Sequence, residues 1–507
     1  MALTQAQINW VLDNPAARVS TVYLPAHNGL QSRYLSTDFY VTDAQSSLGG
    51  VVFEPRIVGG FEITRDGSGF LMGSVNLSDV STNIILNNAD KRIGAWVSEG
   101  WEGRPVQIRW GDPAWDEFTD HILDIDGQVL ELLHDGEHLR LVIRDLLNAL
   151  DKDFPTDTYD TGASEGESKV YVFGDVRRAE AKEINSNTLV YACSENGGTV
   201  QNVYDRGVLL TNGPDWVAVD DGDSRHVDID NILGKVTHDT LGATDPDHDV
   251  STVLEAYLLA VGLTAGQIDS SALAAMAGGA DRDVGLYLDQ PASVKGSVNM
   301  LAQSVGAMVF PTRDQAVSAV QIKIAQGNPQ REFTHHDIQG GVTVSLATEA
   351  MPGIRIGQKI GFTTHDRDAL SAVSKFDLTQ QARTLLTREV NKITINEPDG
   401  SFDVLETLLV DGVQAQAEGA RHADILKYSH HNFSFRTLRG GTLVDVGQEI
   451  RVAHEFADVL GLGFLEDDKG LPIQDQNGQA IEFGRDMLVR TITDERPFGA
   501  ARIVGWV

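Results

Sequence analysis

The sequence predicts an α+β chain, mainly β, in which two β-rich segments flank a mixed one. Three observations lead there. From residue 19 to 143 apolar and polar residues alternate at period two between closely spaced turn signals. Between about 251 and 305 the apolar spacing becomes helical. From about Arg331 the short alternating runs return, interrupted by one helical stretch.

Residues 4–14 read as a short amphipathic helix, with Ile8, Val11 and Leu12 on one face and Pro15 after its end. STVYLP, YLSTDFYVT, VVFEPRIV and FEITRDGSGFLMGSVNLS then follow as strands and turns, a density that favours a barrel or sandwich over βαβ units. Val106, Ile108 and Trp110 alternate with Gln107 and Arg109, the pattern of a half-buried strand. His121, Leu123 and Ile125 alternate in the same way, and Gly127 reads as a turn. The runs VLELLH and EHLRLVIRD are joined by Asp135-Gly136, a strong hairpin signal because glycine supplies positive φ without steric cost. Leu139, Leu141 and Ile143 share one face of the returning strand. Leu146, Leu147 and Leu150 fit one or two helical turns that stop before Pro155.

Residues 157–168 are polar and small, and read as a boundary loop. Short strands follow, broken at Gly197-Gly198 and turning at Asp205-Arg206-Gly207. The acidic stretch 220–249 reads as loop-rich. Val253, Leu254, Tyr257, Leu258 and Val261 mark one face of a helix that Gly262 ends. The Ala-rich residues 265–277 suggest a second helix, and Val294, Val298, Leu301 and Val305 a third, before the strand pair MVFPT and AVQIKIA. In 411–428, Val413, Ala417, Ala420 and Ile425 predict a packed helix with a narrow stripe of small residues. Around it TLLTREVNKITIN, HNFSFRTL, LVDVGQEIRVAHE, MLVRTIT and ARIVGWV read as strands, with DQNG (475–478) as a hairpin tip. The expected division is 1–156 β-rich, 157–330 α+β, and 331–507 β-rich with one helix.

The chain has 507 residues, 41% hydrophobic and 22% charged, which fits folded protein of several domains. Its single cysteine, Cys193, excludes an intrachain disulfide and any multi-cysteine metal site. No apolar run nears the roughly 18 residues that span a bilayer, and MALTQAQINWVLDNP lacks the charged start and apolar core of a signal peptide. The expectation is a chain made in a cytoplasm and folded there without stable membrane insertion. A net charge of −33 repels phosphate backbones and argues against nucleic-acid binding through a basic patch.

Motifs for chemistry are weak. Asp245, Asp247 and Asp249 have the spacing that opens a calcium loop, but no glycine follows at the sixth position and Ala256 stands at the twelfth. A solvated acidic loop is the better reading. His335-His336-Asp337 and His430-His431 offer at most one ligand each to a common site if they lie on strands. HExxH, GxxxxGK[ST] and CxxC elements are missing from the sequence, and no pair among the 73 acidic residues is singled out for hydrolysis. Asn76 and Asn432 head glycosylation-type triplets that carry no meaning without secretion. No catalytic, cofactor-binding or metal-ligating residue is therefore assigned, and no enzyme activity is expected.

The order of several motifs resembles a family. GGFEITRDGSGFLMGSVNLSDVSTNI (59–84), GWEGRPVQIRWG (100–111), LRLVIRDLLNALDKDFPTDTY (139–159), VYVFGDV (170–176), QNVYDRGVLLT (201–211), LETLLVDGVQAQAEGARHADIL (405–426) and LVDVGQEIRV (443–452) resemble, in order, elements of tail-tip (baseplate) hub proteins of long-tailed bacteriophages and prophages. Ser78 stands where that pattern has Asn, the 160–175 region is shorter, and the acidic 220–249 segment departs from it.

The resemblance implies two tube-like β-barrel or sandwich domains with an α+β domain inserted, in a homotrimer that closes the tail tube. Its implied partners are the distal tail-tube ring, the tape-measure protein, a central fibre or spike, and DNA only in transit through an acidic channel. The implied place is the virion tail tip. Competing readings are the hub of a bacterial contractile injection or secretion device, a hub carrying a cell-wall hydrolase, and an adhesin for surface sugars.

Overall fold

A computed structural model describes residues 3–13, 17–66, 81–144, 150–278, 282–312, 316–323, 329–348, 353–361, 386–394, 403–426, 430–453, 485–496 and 500–506, apart from positions 223, 233, 245 and 439. The chain is mainly β with few helices, as its alternation predicts. Strands from both ends of the chain join one 15-stranded sheet.

Six strands of the first segment matter here: β1 (Val19–Leu24), β2 (Phe61–Asp66), β3 (Ser81–Asn87), β4 (Pro105–Gly111), β5 (Ile122–Asp135) and β6 (His138–Arg144). Six more lie in the last segment: β7 (Arg331–Thr334), β8 (Ile338–Thr348), β9 (His430–Thr437), β10 (Glu449–Ala453), β11 (Arg485–Arg496) and β12 (Ala500–Trp506). The first set runs β2-β3-β6-β5-β4-β1, and the second runs β8-β9-β12-β11-β10-β7. Adding six to each label converts one order into the other. All neighbours in both sets are antiparallel except β7 and β10, which are parallel.

The two units agree in detail. Each has a β-bulge at the same place, between Val129 and Glu131 in the β5–β6 pairing and between Val489 and Thr491 in the β11–β12 pairing. Val129 N–H donates to the Arg104 carbonyl at 2.8 Å and Gly103 N–H to the Val129 carbonyl at 2.9 Å. The counterparts are Val489 to Gln448 and Gly447 to Val489, both 2.9 Å. Gly103 and Gly447 take φ +77° and +81°, and Gly59 and Gly340 take +70° and +82°. These are left-handed conformations that glycine adopts freely. Inward residues match as well: Val106 and Ile108 against Ile450 and Val452, Ile84 against Phe435, Leu141 against Ile503, all buried.

The hairpin at Asp135-Gly136 forms, with Asp135 paired to His138 and Gly136 at φ +62°. Leu139, Leu141 and Ile143 are fully buried, each contributing about 1.5–3 kcal/mol by leaving water. Gly127, however, is no turn. It lies inside the 14-residue strand β5, where a Cβ would collide with the Arg144 carbonyl oxygen. The alternation of His121, Leu123 and Ile125 also breaks. A register shift opposite Ile108 and Arg109 turns Ile122 and Asp124 inward and leaves Leu123 half-buried.

The helix α1 (Gln5–Asp13) matches its prediction, although Trp10 is buried along with Val11. Helices α2 (Val250–Ala260), α3 (Ser270–Ala275) and α4 (Val294–Ser304) pack into a core with Val253, Leu254, Tyr257, Leu258, Leu273, Val298 and Leu301. Gly262 follows α2 at φ +100°. Ala415 of α5 (Gly412–Leu426) and Leu409, just before that helix, join the core from far along the chain. The stretch 220–249, read as loop-rich, instead holds much of three strands, Trp216–Asp221, Ser224–Ile229 and Val236–Leu241. Their apolar members Trp216, Val227, Ile229 and Val236 fill a core, so burial on alternate positions outweighs the acidic composition. In α5 the expected stripe also moves. Val413 is 76% exposed, and the buried face is Ala415, Glu418, Gly419, Ala423 and Ile425. Of the predicted helical turns at 146–150 only Leu150 is described, and it is fully buried; 146–149 and the hairpin tip at 475–478 lie outside the described residues.

Candidate functional site

The two repeated units meet along one seam, where β2 lies antiparallel to the second half of β11. On the inward faces of these strands, and of β5 across the core from them, charged residues occupy core positions. Arg496 places Nε 2.6 Å from Oδ2 and Nη2 2.7 Å from Oδ1 of Asp124, a two-pronged pair with both side chains wholly buried. Its Nη1 lies 3.7 Å from Asp494 Oδ1. Arg65 donates to Asp494 and places Nε 3.4 Å from Asp445 Oδ1. The Arg496 guanidinium also sits 4.4 Å from the centroid of the Trp110 ring.

Charge balance explains how so many ions survive burial. Arg65 and Arg496 oppose Asp124 and Asp494, while the half-buried Asp445 stands at the rim. Burial alone would pull Arg496 below its ordinary pKa, but Asp124 and Asp494 outweigh it and hold the guanidinium above it. Arg65 is likewise raised, by Asp494, Asp445 and Asp124 against its burial. The network works as a bolt between the units: Asp124, Arg65 and Trp110 come from the first, Asp494, Arg496 and Asp445 from the second. Sequence reasoning missed it. The available signal was Arg65 in step with Phe61 and Ile63, and Asp494 and Arg496 in step with Ile492, charges set on apolar faces.

Other polar side chains among the described residues form committed pairs. Glu195 accepts from Ser224 Oγ at 2.6 Å and faces His226 Nε2 at 3.1 Å, so the serine is tied to the carboxylate rather than to the imidazole. No nucleophile–base pair results. Those partners, with Tyr159, hold the Glu195 carboxyl below its ordinary value despite burial. A groove of about 780 Å³ is lined by Lys182, Lys235, Glu167, Glu180 and Glu183 among others. Lys182 is committed to the Ser168 and Asp289 carbonyls, at 2.8 and 2.6 Å, and Lys235 to Glu180 at 2.5 Å. Burial pushes the Cys193 thiol well above its ordinary range.

Of the candidate ligands, Asp249 caps α2 by accepting from Ser251 N–H at 3.0 Å, and Asp247 accepts from Asp249 N–H at 3.1 Å. Asp245 lies outside the described residues. His335 and His336 fall in the turn between β7 and β8 with ring centroids 3.7 Å apart, and Asp337 accepts from Thr334 there. His430 and His431 begin β9. Among the described residues, no group of three or more His, Cys, Asp or Glu side chains is placed to hold a metal ion, and no helix is long and apolar enough to cross a membrane.

No protein-family model matches the chain, and no curated protein sequence matches it. Solved structures do. A tail protein from Neisseria meningitidis MC58 is 8% identical with a TM-score of 0.44, over 97% of each chain. The 43 kDa tail protein of prophage MuSo2 from Shewanella oneidensis is 9% identical with a TM-score of 0.39, over 90% of this chain and 94% of that one. A chain of the native gene transfer agent virion is 13% identical with a TM-score of 0.42, over 71% of this chain and 91% of that one. These three structures are of two tail proteins and of a virion particle.

Proposed function

We propose that this chain is a structural component of a bacteriophage tail, the hub at the tail tip, acting as a homotrimer that closes the tail tube. The repeated unit carries the reading. One chain holds two β-units of the same strand order, with the same bulge and the same glycine turns. Contacts between unlike faces of identical copies close into rings when the rotation allows. Three copies with two like units each offer six like faces to a six-fold tube. The ordered sequence motifs, which extend over both units, support the same reading.

On this reading the hub contacts the distal tube ring and the tape-measure protein, carries a fibre or spike below, and forms part of the channel for DNA. Its role is architectural, without catalysis. The net charge of −33 supports passage of DNA without retention. Light scattering on the purified chain tests it. The expected species is a trimer of about three times 55.0 kDa, and imaging of the intact particle places the protein at the end of the tail tube. A chain that stays monomeric and is missing from the tail tip refutes the reading.

A further inference from the structure

The seam inside the chain has a counterpart whose two halves are both present but apart. Along the seam Glu62 lies opposite Glu495, Ile63 opposite Asp494 and Thr64 opposite Thr493. The repeat equates β2 with β8, since Ile57-Val58-Gly59-Gly60 matches Ile338-Gln339-Gly340-Gly341, and Thr64 pairs with Ser81 as Ser345 pairs with Asn432. It equates β11 with β5, whose shared bulge fixes the alignment. The second half of β11 is bonded to β12 on one edge and to β2 on the other. The second half of β5 is bonded to β6 on one edge, and among the described residues no strand lies on the other beyond Val129. β8 is bonded to β9 on one edge, and among the described residues its outer edge carries no strand.

Exposure separates the filled seam from the open one. Ile63 is fully buried, whereas its counterpart Val344 is 36% exposed. Asp494 is fully buried, whereas its counterpart His134 is exposed. Leu133, the counterpart of half-buried Thr493, is 40% exposed. Open edges that also present apolar side chains are templates for another strand.

We infer that β8 of one copy pairs antiparallel with the second half of β5 of the next copy, repeating across the subunit boundary the β2–β11 seam found within the chain. The repeat sets the register: Thr343 opposite Asp135, Val344 opposite His134, Ser345 opposite Leu133. A second copy is the occupant because every copy carries both halves of the contact, one in each unit. The inference rests on the homotrimer proposed above and deepens it by naming the strands that hold the copies together.

Directly opposed strand residues have Cβ atoms about 4.5–5.5 Å apart, close enough for a disulfide. The doubly substituted chain Leu133→Cys, Ser345→Cys is oxidised at high protein concentration and run on a non-reducing gel. Covalent dimers and trimers are expected, with the buried Cys193 silent. Two controls calibrate it. Thr64→Cys with Thr493→Cys, the equivalent positions of the internal seam, gives an intrachain bond and no larger species. Ile85→Cys with Ser345→Cys, which the register does not oppose, gives no covalent oligomer. Circular dichroism confirms that each variant is folded. If the parent chain is trimeric by light scattering and the first variant stays uncrosslinked, the strand pairing is wrong while the hub reading stands. If the parent is monomeric at every concentration, no crosslink forms and the protein is missing from the tail tip of the imaged particle, both fall.

Discussion

Replacing Arg496 by Met tests whether the buried ions hold the two units together. The substitution keeps most of the side-chain length but removes both hydrogen bonds to Asp124, at 2.6 and 2.7 Å, and the cation above Trp110. Asp124 is then an unpaired carboxylate that water does not reach, and removing one partner of a buried pair costs about 3–5 kcal/mol. Asp494 retains Arg65, so the loss centres on Asp124. Adding Asp124→Leu should recover most of the deficit, because an apolar pair of similar volume often replaces a buried ion pair without net cost. Urea denaturation followed by tryptophan emission is the assay, with Trp110, one of seven tryptophans, lying against the affected guanidinium. The expected order of stability is parent, then double variant, then Arg496→Met well below both. A single variant within about 0.5 kcal/mol of the parent would refute the role of the network. So would a double variant no more stable than the single, because the penalty would then not come from an orphaned charge.

Acid should weaken the fold in two windows. Burial holds His121 and His238 neutral, each with a pKa of about 4 against an ordinary 6.5. Depressed values mean that their stabilisation is full above pH 6.5 and lost as pH falls toward 4, by about 3 kcal/mol each, which melting temperatures across that range will register. Glu418 is depressed to about 2 from 4.5 although burial opposes it, because His422 and Arg421 hold the carboxylate charged. Its contribution is present above pH 4.5 and declines below it, and Glu418→Ala should cost about 2 kcal/mol at pH 7 by leaving the part-exposed Arg421 without its carboxylate, with only the Ile322, Val305 and Gly306 carbonyls as partners. Gly127→Ala should cost about 1–3 kcal/mol in a denaturant titration, since the added methyl meets backbone and not a movable side chain. Cys193, buried and with a raised pKa, should resist a thiol reagent until the chain is unfolded, as a timed absorbance assay can show.

Where local pattern and burial agree, the fold is legible in the sequence. The Leu139–Leu141–Ile143 face and the Val253–Leu254–Tyr257–Leu258 face bury as their periods require. The failures share a physical cause: a feature defined by a partner distant in sequence. Gly127 serves a close approach to Arg144, which a reading of neighbours takes for a turn. Asp124 turns inward because a bulge shifts the phase of its strand, and a buried carboxylate reads as surface until Arg496, 372 residues away, is beside it. Glu418 reverses the face of its helix for the same reason, since Arg421 and His422 make a charged position a core position. The repeat itself leaves little trace in the letters beyond Gly103 and Gly447, or the paired glycines at 59–60 and 340–341. Strand order and bulge position preserve it better than residue identity does.

The bolt at the internal seam has no copy at the open one. The positions equivalent to Asp494 and Arg496 are His134 and Gly136, so the proposed contact between copies lacks buried ions. A ring assembled this way alternates riveted joints with unriveted ones. Under load it would part at three seams and move as three stiff couples instead of six loose staves. A passage that must widen for cargo and then reclose would have its hinges built in at every second joint.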